Sequence, residues 1–203
     1  MPIEKRDKIR EVWQEIEKWL EENFPQFLSY LNPPATIAEI KQTERELNIE
    51  FTNEVKQSYL LHNGSKNWLL DGNNFLSLSK VIDFHNEKIA RYHDRYLKED
   101  MTISIDSASS EKVKKEIWNP KWIPILAESN IFLHFLDLDP SEYGLCGQII
   151  FVNDDYHDIY FISENFTMLM ETFLNDLKFG KYEISTNGLY LDKQETLRTC
   201  SLA

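Results

Sequence analysis

The stretch Leu31–Ile40, with the sequence LNPPATIAEI, predicts the point where a loop becomes a helix. Pro33 and Pro34 lack the backbone N–H and the free φ angle that a helix interior needs. Thr36 is a preferred N-cap residue, and Glu39 three positions later completes a capping box. The sequence therefore predicts a helix that begins directly after Thr36.

Helical periodicity recurs around this start, with apolar residues three and four positions apart. Asn63 and Gly64 are expected to stop one of these helices, because a residue able to take a positive φ ends helices well. His62 is then set against the negative end of the helix dipole. The segments with this periodicity are residues 7–22, Asn53–His62, residues 79–98 and Phe166–Phe179, and a further helix is predicted around Ser109–Ile117 within a polar stretch.

The second half of the chain has the sequence pattern of β-strands. Apolar or alternating runs separated by turn-forming residues predict an antiparallel meander. These runs are Ile123–Ala127, Ile131–Leu138, Gln148–Asn153 and Ile159–Ser163. Short hairpins are predicted between Trp68–Leu70 and Phe75–Leu78, and between Tyr182–Ser185 and Leu189–Leu191. We expect one α+β domain over residues 1–203, with amino-terminal helices, a central twisted, mainly antiparallel sheet, and a carboxy-terminal helix packed on it.

Composition narrows the class of protein. The formal net charge of −12 argues against a nucleic-acid partner, which would need a basic surface. Neither a signal peptide nor an apolar run of membrane-spanning length is present in the sequence, so we expect no membrane association and a cytoplasmic location. Cys146 and Cys200 fit neither a zinc site nor a disulfide framework, and we expect free thiols.

The acidity is concentrated in residues 131–181, which contain nine acidic side chains and only two lysines. Asp137 and Asp139, two positions apart near a strand end, point to the same side, and Asn153–Asp158 forms the next turn. The simplest interpretation is a pair of Asx turns that cap strand ends. A metal site that includes His157 and a partner-facing acidic rim remain alternatives.

No catalytic motif stands out. The sequence contains no GxSxG, GxxxxGK[ST] or GxGxxG pattern, and Cys146 lies in an acidic neighbourhood that disfavours a reactive thiolate. We therefore expect a protein without catalytic activity, cofactor or metal. Trp68, in a polar loop, is the tryptophan that we expect to be exposed and to serve as an interface anchor.

Nine short motifs, from Trp13–Leu20 and Leu31–Ala35 to Leu136–Pro140 and Phe173–Leu174, follow one another in an order that resembles the SUKH superfamily, in the branch related to the Smi/Knr regulator of cell-wall assembly. The resemblance covers about residues 10–182 and excludes the tail, residues 183–203, for which a hairpin is possible. The first matching phrases are Trp13–Leu20, Leu31–Ala35, Glu44–Leu47 and Tyr59–Gly64. The later ones are Phe75–Leu78, Trp118–Ile125, Leu136–Pro140, Gly147–Ile149 and Phe173–Leu174.

The resemblance implies a protein-binding module with an α+β fold. Bacterial members of the superfamily are similar to immunity proteins that neutralise toxins, many of them nucleases, whereas fungal members regulate cell-wall assembly. Our first hypothesis is an immunity protein that binds a toxin domain with a basic surface, and the alternative is a regulatory scaffold for an endogenous partner. The residues that we expect to contact the partner are Asp137, Asp139, Asp154, Asp155, Asp158, Trp68 and Tyr156.

Overall fold

The computed structural model describes residues 4–66, 70, 72–96, 104–105, 111–116, 118–153, 158–185 and 188–191. The helices are α1 (Glu4–Asn23), a 3-10 helix (Pro25–Tyr30), α2 (Ile37–Leu47), α3 (Asn53–Tyr59), α4 (Leu78–Tyr96) and α5 (Phe166–Lys178). The strands are β1 (Asn74–Phe75), β2 (Ser104–Ile105), β3 (Trp122–Ala127), β4 (Phe132–Asp137), β5 (Gln148–Asn153), β6 (Asp158–Ser163), β7 (Tyr182–Ser185) and β8 (Gly188–Leu191). The predicted α+β class is confirmed.

One six-stranded sheet forms the centre of the molecule, in the order β1-β3-β4-β5-β6-β2. The neighbours from β1 to β6 pair antiparallel, and β2 joins β6 in parallel. The predicted meander is therefore confirmed. The strands β7 and β8 pair with each other as a separate hairpin, as predicted for Tyr182–Ser185 and Leu189–Leu191.

Helices cover both faces of this sheet. His134 of β4 lines a small cavity together with Phe173 of α5. The next residue, Phe135, lies 5.5 Å from the ring of Trp118, which stacks on Tyr92 of α4. Because successive strand residues point to opposite faces, α5 and α4 lie on opposite sides of the sheet. Within the described residues, no helix combines the length and the apolarity needed to cross a membrane.

The capping box at Thr36 is present as predicted. The Thr36 hydroxyl accepts a hydrogen bond from the Glu39 backbone N–H at 3.2 Å, and the Glu39 carboxylate accepts one from the Thr36 N–H at 2.7 Å. The helix that follows, α2, buries Ile40 and Leu47 on one side. The opening stretch therefore folds as its local sequence dictates.

The same stretch also packs against the turn after α3. The Asn32 N–H donates to the Gly64 carbonyl at 2.9 Å, and the Asn32 side chain donates to the Asn63 carbonyl at 2.9 Å. Gly64 takes a positive φ of +89°, but it lies in the turn after α3 and does not stop the helix as predicted, because the C-cap of α3 is Leu60. The predicted role of His62 is wrong, because α3 ends at Tyr59 and the His62 ring instead lies 2.9 Å from the Glu17 carboxylate.

Two further predictions are wrong for tertiary reasons. Residues 111–116 follow a turn and irregular backbone rather than the helix predicted around Ser109–Ile117. Hydrogen bonds to another part of the chain hold this segment, since the Lys112 carbonyl accepts from the Ser141 N–H and from the Gln148 side chain. Residues 109, 110 and 117 lie outside the described residues.

The second incorrect prediction is the hairpin between Trp68–Leu70 and Phe75–Leu78. Phe75 pairs with Leu126 of β3, and Leu70 forms an isolated bridge with Asn73 rather than pairing with Phe75. The other side of β1 is occupied by Ser65, whose N–H donates to the Phe75 carbonyl at 2.7 Å and whose hydroxyl accepts from the Phe75 N–H at 2.9 Å. Residues 67–69 and 71 lie outside the described part of the chain.

Candidate functional site

Asp137, the last residue of β4, is buried and fully hydrogen-bonded. One carboxylate oxygen accepts from the Asp139 backbone N–H at 3.0 Å, and the other accepts from the Gln148 side-chain amide at 2.8 Å. The first bond is the predicted Asx turn. Burial raises the pKa of Asp137 to about 6, although both hydrogen bonds oppose this effect. Asp137 exposes no surface, so it supports the strand end and is not available for direct contact with a partner.

Gln148 connects this carboxylate to the β4–β5 loop, which we define as Leu138–Gly147. Its amide nitrogen also donates to the Lys112 carbonyl at 3.0 Å, and its amide oxygen accepts from the Leu145 N–H at 3.1 Å. The Gly147 N–H donates to the Asp137 carbonyl at 2.7 Å. A fully buried glutamine thus fixes the loop from inside.

The outer side of the β4–β5 loop is apolar and exposed. Tyr143 is 68% exposed and Leu145 is 53% exposed, with the acidic Glu142 beside them on the surface. Sequence reasoning missed both apolar residues. Their signal was present, because a tyrosine and a leucine are unexpected in the turn-forming stretch from Pro140 to Gly147, where polar residues prevail.

Charges around the loop are partly paired. Lys114 Nζ lies 2.6 Å from an Asp139 carboxylate oxygen, and the Asn119 side chain donates to the other oxygen at 2.9 Å. These two contacts, Lys114 first, hold the pKa of Asp139 below its ordinary value. Lys112 Nζ lies 3.9 Å from the centre of the Phe161 ring. Lys112 and Lys114 therefore already have partners.

The remaining predicted contact residues are spread over the chain. Asp158 begins β6, is half-buried, and pairs in register with Asn153 of β5 and Ser104 of β2. Trp68, Asp154, Asp155 and Tyr156 lie outside the described residues. Asp139 and Asp158 are therefore the predicted acidic contacts that the structure places with some solvent exposure.

Cys146, at the end of the loop, is not set up as a nucleophile. Its thiol donates to the Leu138 carbonyl at 3.6 Å, and burial together with the charges of Asp137, Asp139 and Glu54 raises its pKa. A raised pKa leaves less thiolate at neutral pH. The part of the chain that the structure describes holds no group of three or more metal-binding side chains.

The sequence is similar to one protein family over most of its length. Residues 34–172 match the model of the SMI1/KNR4 family, also named SUKH-1. This range contains the opening stretch from Pro34 onward, α2 to α4, the central sheet strands and the first part of α5. The β4–β5 loop lies inside it.

Three regulatory proteins with sequences similar to this chain come from fungi. The glucan synthesis regulatory protein of Neurospora crassa is 21% identical over 92% of this chain and 42% of its own length. The cell wall assembly regulator SMI1 of Saccharomyces cerevisiae is 24% identical over 88% of this chain and 42% of its own length. The cell wall biosynthesis/cell cycle regulator smi1 of Schizosaccharomyces pombe is 25% identical over 86% of this chain and 37% of its own length. The chain therefore spans about two fifths of these relatives.

Proposed function

The chain belongs to the SMI1/KNR4 (SUKH-1) family, and from this premise we propose that it is a regulatory protein that acts by binding another protein rather than by catalysis. The names of the fungal relatives support this proposal, because they describe regulators of glucan synthesis and of cell-wall assembly. The function that we favour is therefore regulation of an endogenous partner protein, as in cell-wall assembly.

One structural observation carries the proposal. The β4–β5 loop presents Tyr143 and Leu145 to solvent while Gln148 and Asp137 fix its backbone from the buried side. An exposed tyrosine on a fixed backbone is a typical anchor of protein interfaces, and the neighbouring leucine adds apolar surface. Within this proposal the protein acts in the cytosol, since the exposed free thiol of Cys146 is expected to persist in a reducing compartment.

Neutralisation of a toxin is the second candidate function. The acidic excess in residues 131–181 favours it, because such a surface complements a basic nuclease and accelerates association. The two candidates differ in the identity of the partner. One partner is a protein of the cell's own growth machinery, and the other is a toxin.

Quantitative affinity purification from the protein's own cells tests the proposal. We expect the tagged wild-type protein to retain a specific protein that the double variant Tyr143→Ala/Leu145→Ala loses. Phe179→Ala is the matched control, because Phe179 is 78% exposed after α5. Deletion of the partner's gene should then reproduce the effect of deleting the gene of this chain.

The identity of the retained protein separates the candidates. A cell-wall or growth regulator supports the first candidate, whereas a toxin whose activity falls on addition of this chain supports the second. Retention of no specific protein, or detection of an enzymatic turnover by the chain itself, would contradict both.

A further inference from the structure

We propose that the β4–β5 loop is a docking surface for a segment of a partner protein in which basic residues adjoin an apolar side chain. The proposal rests on the proposed function, since it specifies the chemistry of the partner that the function requires. It concerns Tyr143, Leu145 and the carboxylates nearest to them. Three properties of the loop support it.

The first property is the pairing of two exposed apolar residues. Tyr143 and Leu145 are separated by one residue and are both more than half exposed. Scattered exposed apolar residues are normal on a protein surface, whereas two of them within one short loop favour an interaction site. The other large apolar side chains with high exposure in the described part of the chain are separated from one another by at least five residues. They are Ile37, Ile89, Ile162, Met168 and Phe179.

The second property is a backbone that is already ordered. Gly144, between the two apolar residues, packs so closely on the Lys112 carbonyl that an added Cβ would collide with it. The Ser141 hydroxyl donates to the Glu111 carbonyl, and the Gly144 N–H donates to the Ser141 carbonyl at 3.1 Å. A loop fixed in this way loses little conformational entropy on binding, so its anchors contribute more to affinity.

The third property is an excess of unpaired negative charge. Glu142 precedes Tyr143, and the Glu54 carboxylate lies close to Gly147 at the other end of the loop. Neither carboxylate forms an ion pair with any residue that the structure describes. Lys112 and Lys114 already contact Phe161 and Asp139. Charge complementarity therefore favours a partner segment that carries lysine or arginine.

Selection from a random peptide display library on the intact chain tests the proposal. We expect the enriched peptides to share a basic residue next to an aromatic or aliphatic residue. A synthetic peptide of the enriched sequence should then bind the wild-type chain in a fluorescence anisotropy titration. The double variant Tyr143→Ala/Leu145→Ala should bind this peptide at least about 30-fold more weakly, as expected for interface anchors.

Two further variants separate charge from apolar contact. Glu54→Gln/Glu142→Gln should weaken binding less and reduce the fall in affinity between about 50 and 300 mM salt. Phe179→Ala should bind like the wild type. A circular dichroism spectrum and an unfolding midpoint equal to those of the wild type show that each variant is folded.

The outcomes are decisive. Acidic or purely apolar peptides, binding that is unchanged in the Tyr143→Ala/Leu145→Ala variant, or no enrichment at all would overturn the proposed docking surface. These results would leave the proposed function intact if affinity purification still retained a specific regulatory partner. Loss of the partner in purification together with successful peptide binding would instead contradict the proposed function alone.

Discussion

Replacement of Asp137 by asparagine should change the pH dependence of stability in a defined direction. Burial raises the pKa of Asp137 to about 6 from an ordinary value of 3.8. Between these two values the native state therefore binds more protons than the unfolded state. The stabilisation by this carboxyl is present below pH ~3.8 and is lost as the pH rises through about 6. The asparagine side chain does not titrate, so the Asp137→Asn variant lacks this pH dependence.

The size of the effect follows from the two pKa values. A pKa raised by about two pH units corresponds to about 3 kcal/mol of unfolding free energy, since one unit corresponds to about 1.4 kcal/mol. His134 opposes this trend, because burial lowers its pKa to about 4 and the native state then resists protonation on acidification. Absolute stability therefore mixes two effects of opposite sign, and only the difference between wild type and variant isolates Asp137.

Urea unfolding of both proteins from about pH 3.5 to 7.5 measures this difference. The unfolding free energy of the wild type minus that of Asp137→Asn should fall by about 3 kcal/mol across this range. Asp139→Asn is a control of opposite sign, because Lys114 holds the pKa of Asp139 below its ordinary value. A difference that stays flat or rises for Asp137→Asn would refute the burial of this carboxyl.

Two other predictions concern local geometry. Gly147→Ala and Gly180→Ala both place alanine at a positive φ, but only the Cβ at Gly147 meets a neighbour, the Thr52 methyl group at 2.7 Å. Gly147→Ala should thus destabilise the protein by about 1–3 kcal/mol more in urea unfolding, and Thr52→Ser should restore part of the loss; equal losses at both glycines would contradict the contact. Thr36→Ala should lower the unfolding free energy by about 1 kcal/mol, because it removes the cap of α2. Thr172→Ala, within α5, should change it little, and equal effects of the two threonines would argue against the capping box.

The elements that sequence predicted well depend on local interactions. Thr36 and Glu39 form a capping box within one turn of helix, so the pattern alone determines the contact. The strands from Trp122 to Ser163 were likewise predicted from the sequence, because their alternating and continuous apolar runs correspond to burial within a single sheet. The helix at Phe166–Lys178 followed from its apolar stripe.

The candidate site was only partly visible in the sequence. Asp137 was expected on the surface, yet Gln148 from the next strand buries and satisfies it, and no local pattern encodes this pairing. The helix predicted around Ser109–Ile117 is absent from the described residues 111–116 for the same reason, since the Lys112 carbonyl accepts hydrogen bonds from Ser141 and Gln148, which are distant in the sequence. Tyr143 and Leu145 were visible only as apolar residues in a turn-forming stretch, and the structure was needed to show that they are exposed.

The outer edge of β1 determines how the central sheet can meet other chains. Ser65 occupies both backbone hydrogen-bonding groups of Phe75 on this side, one with its own N–H and one with its hydroxyl. An unpaired strand edge can form hydrogen bonds with a strand of another chain, which leads to self-association and fibril growth. At this edge the backbone N–H and the hydroxyl of one serine together replace the hydrogen bonds of a neighbouring strand, so the Ser65 side chain protects one of the two backbone groups from edge-to-edge aggregation.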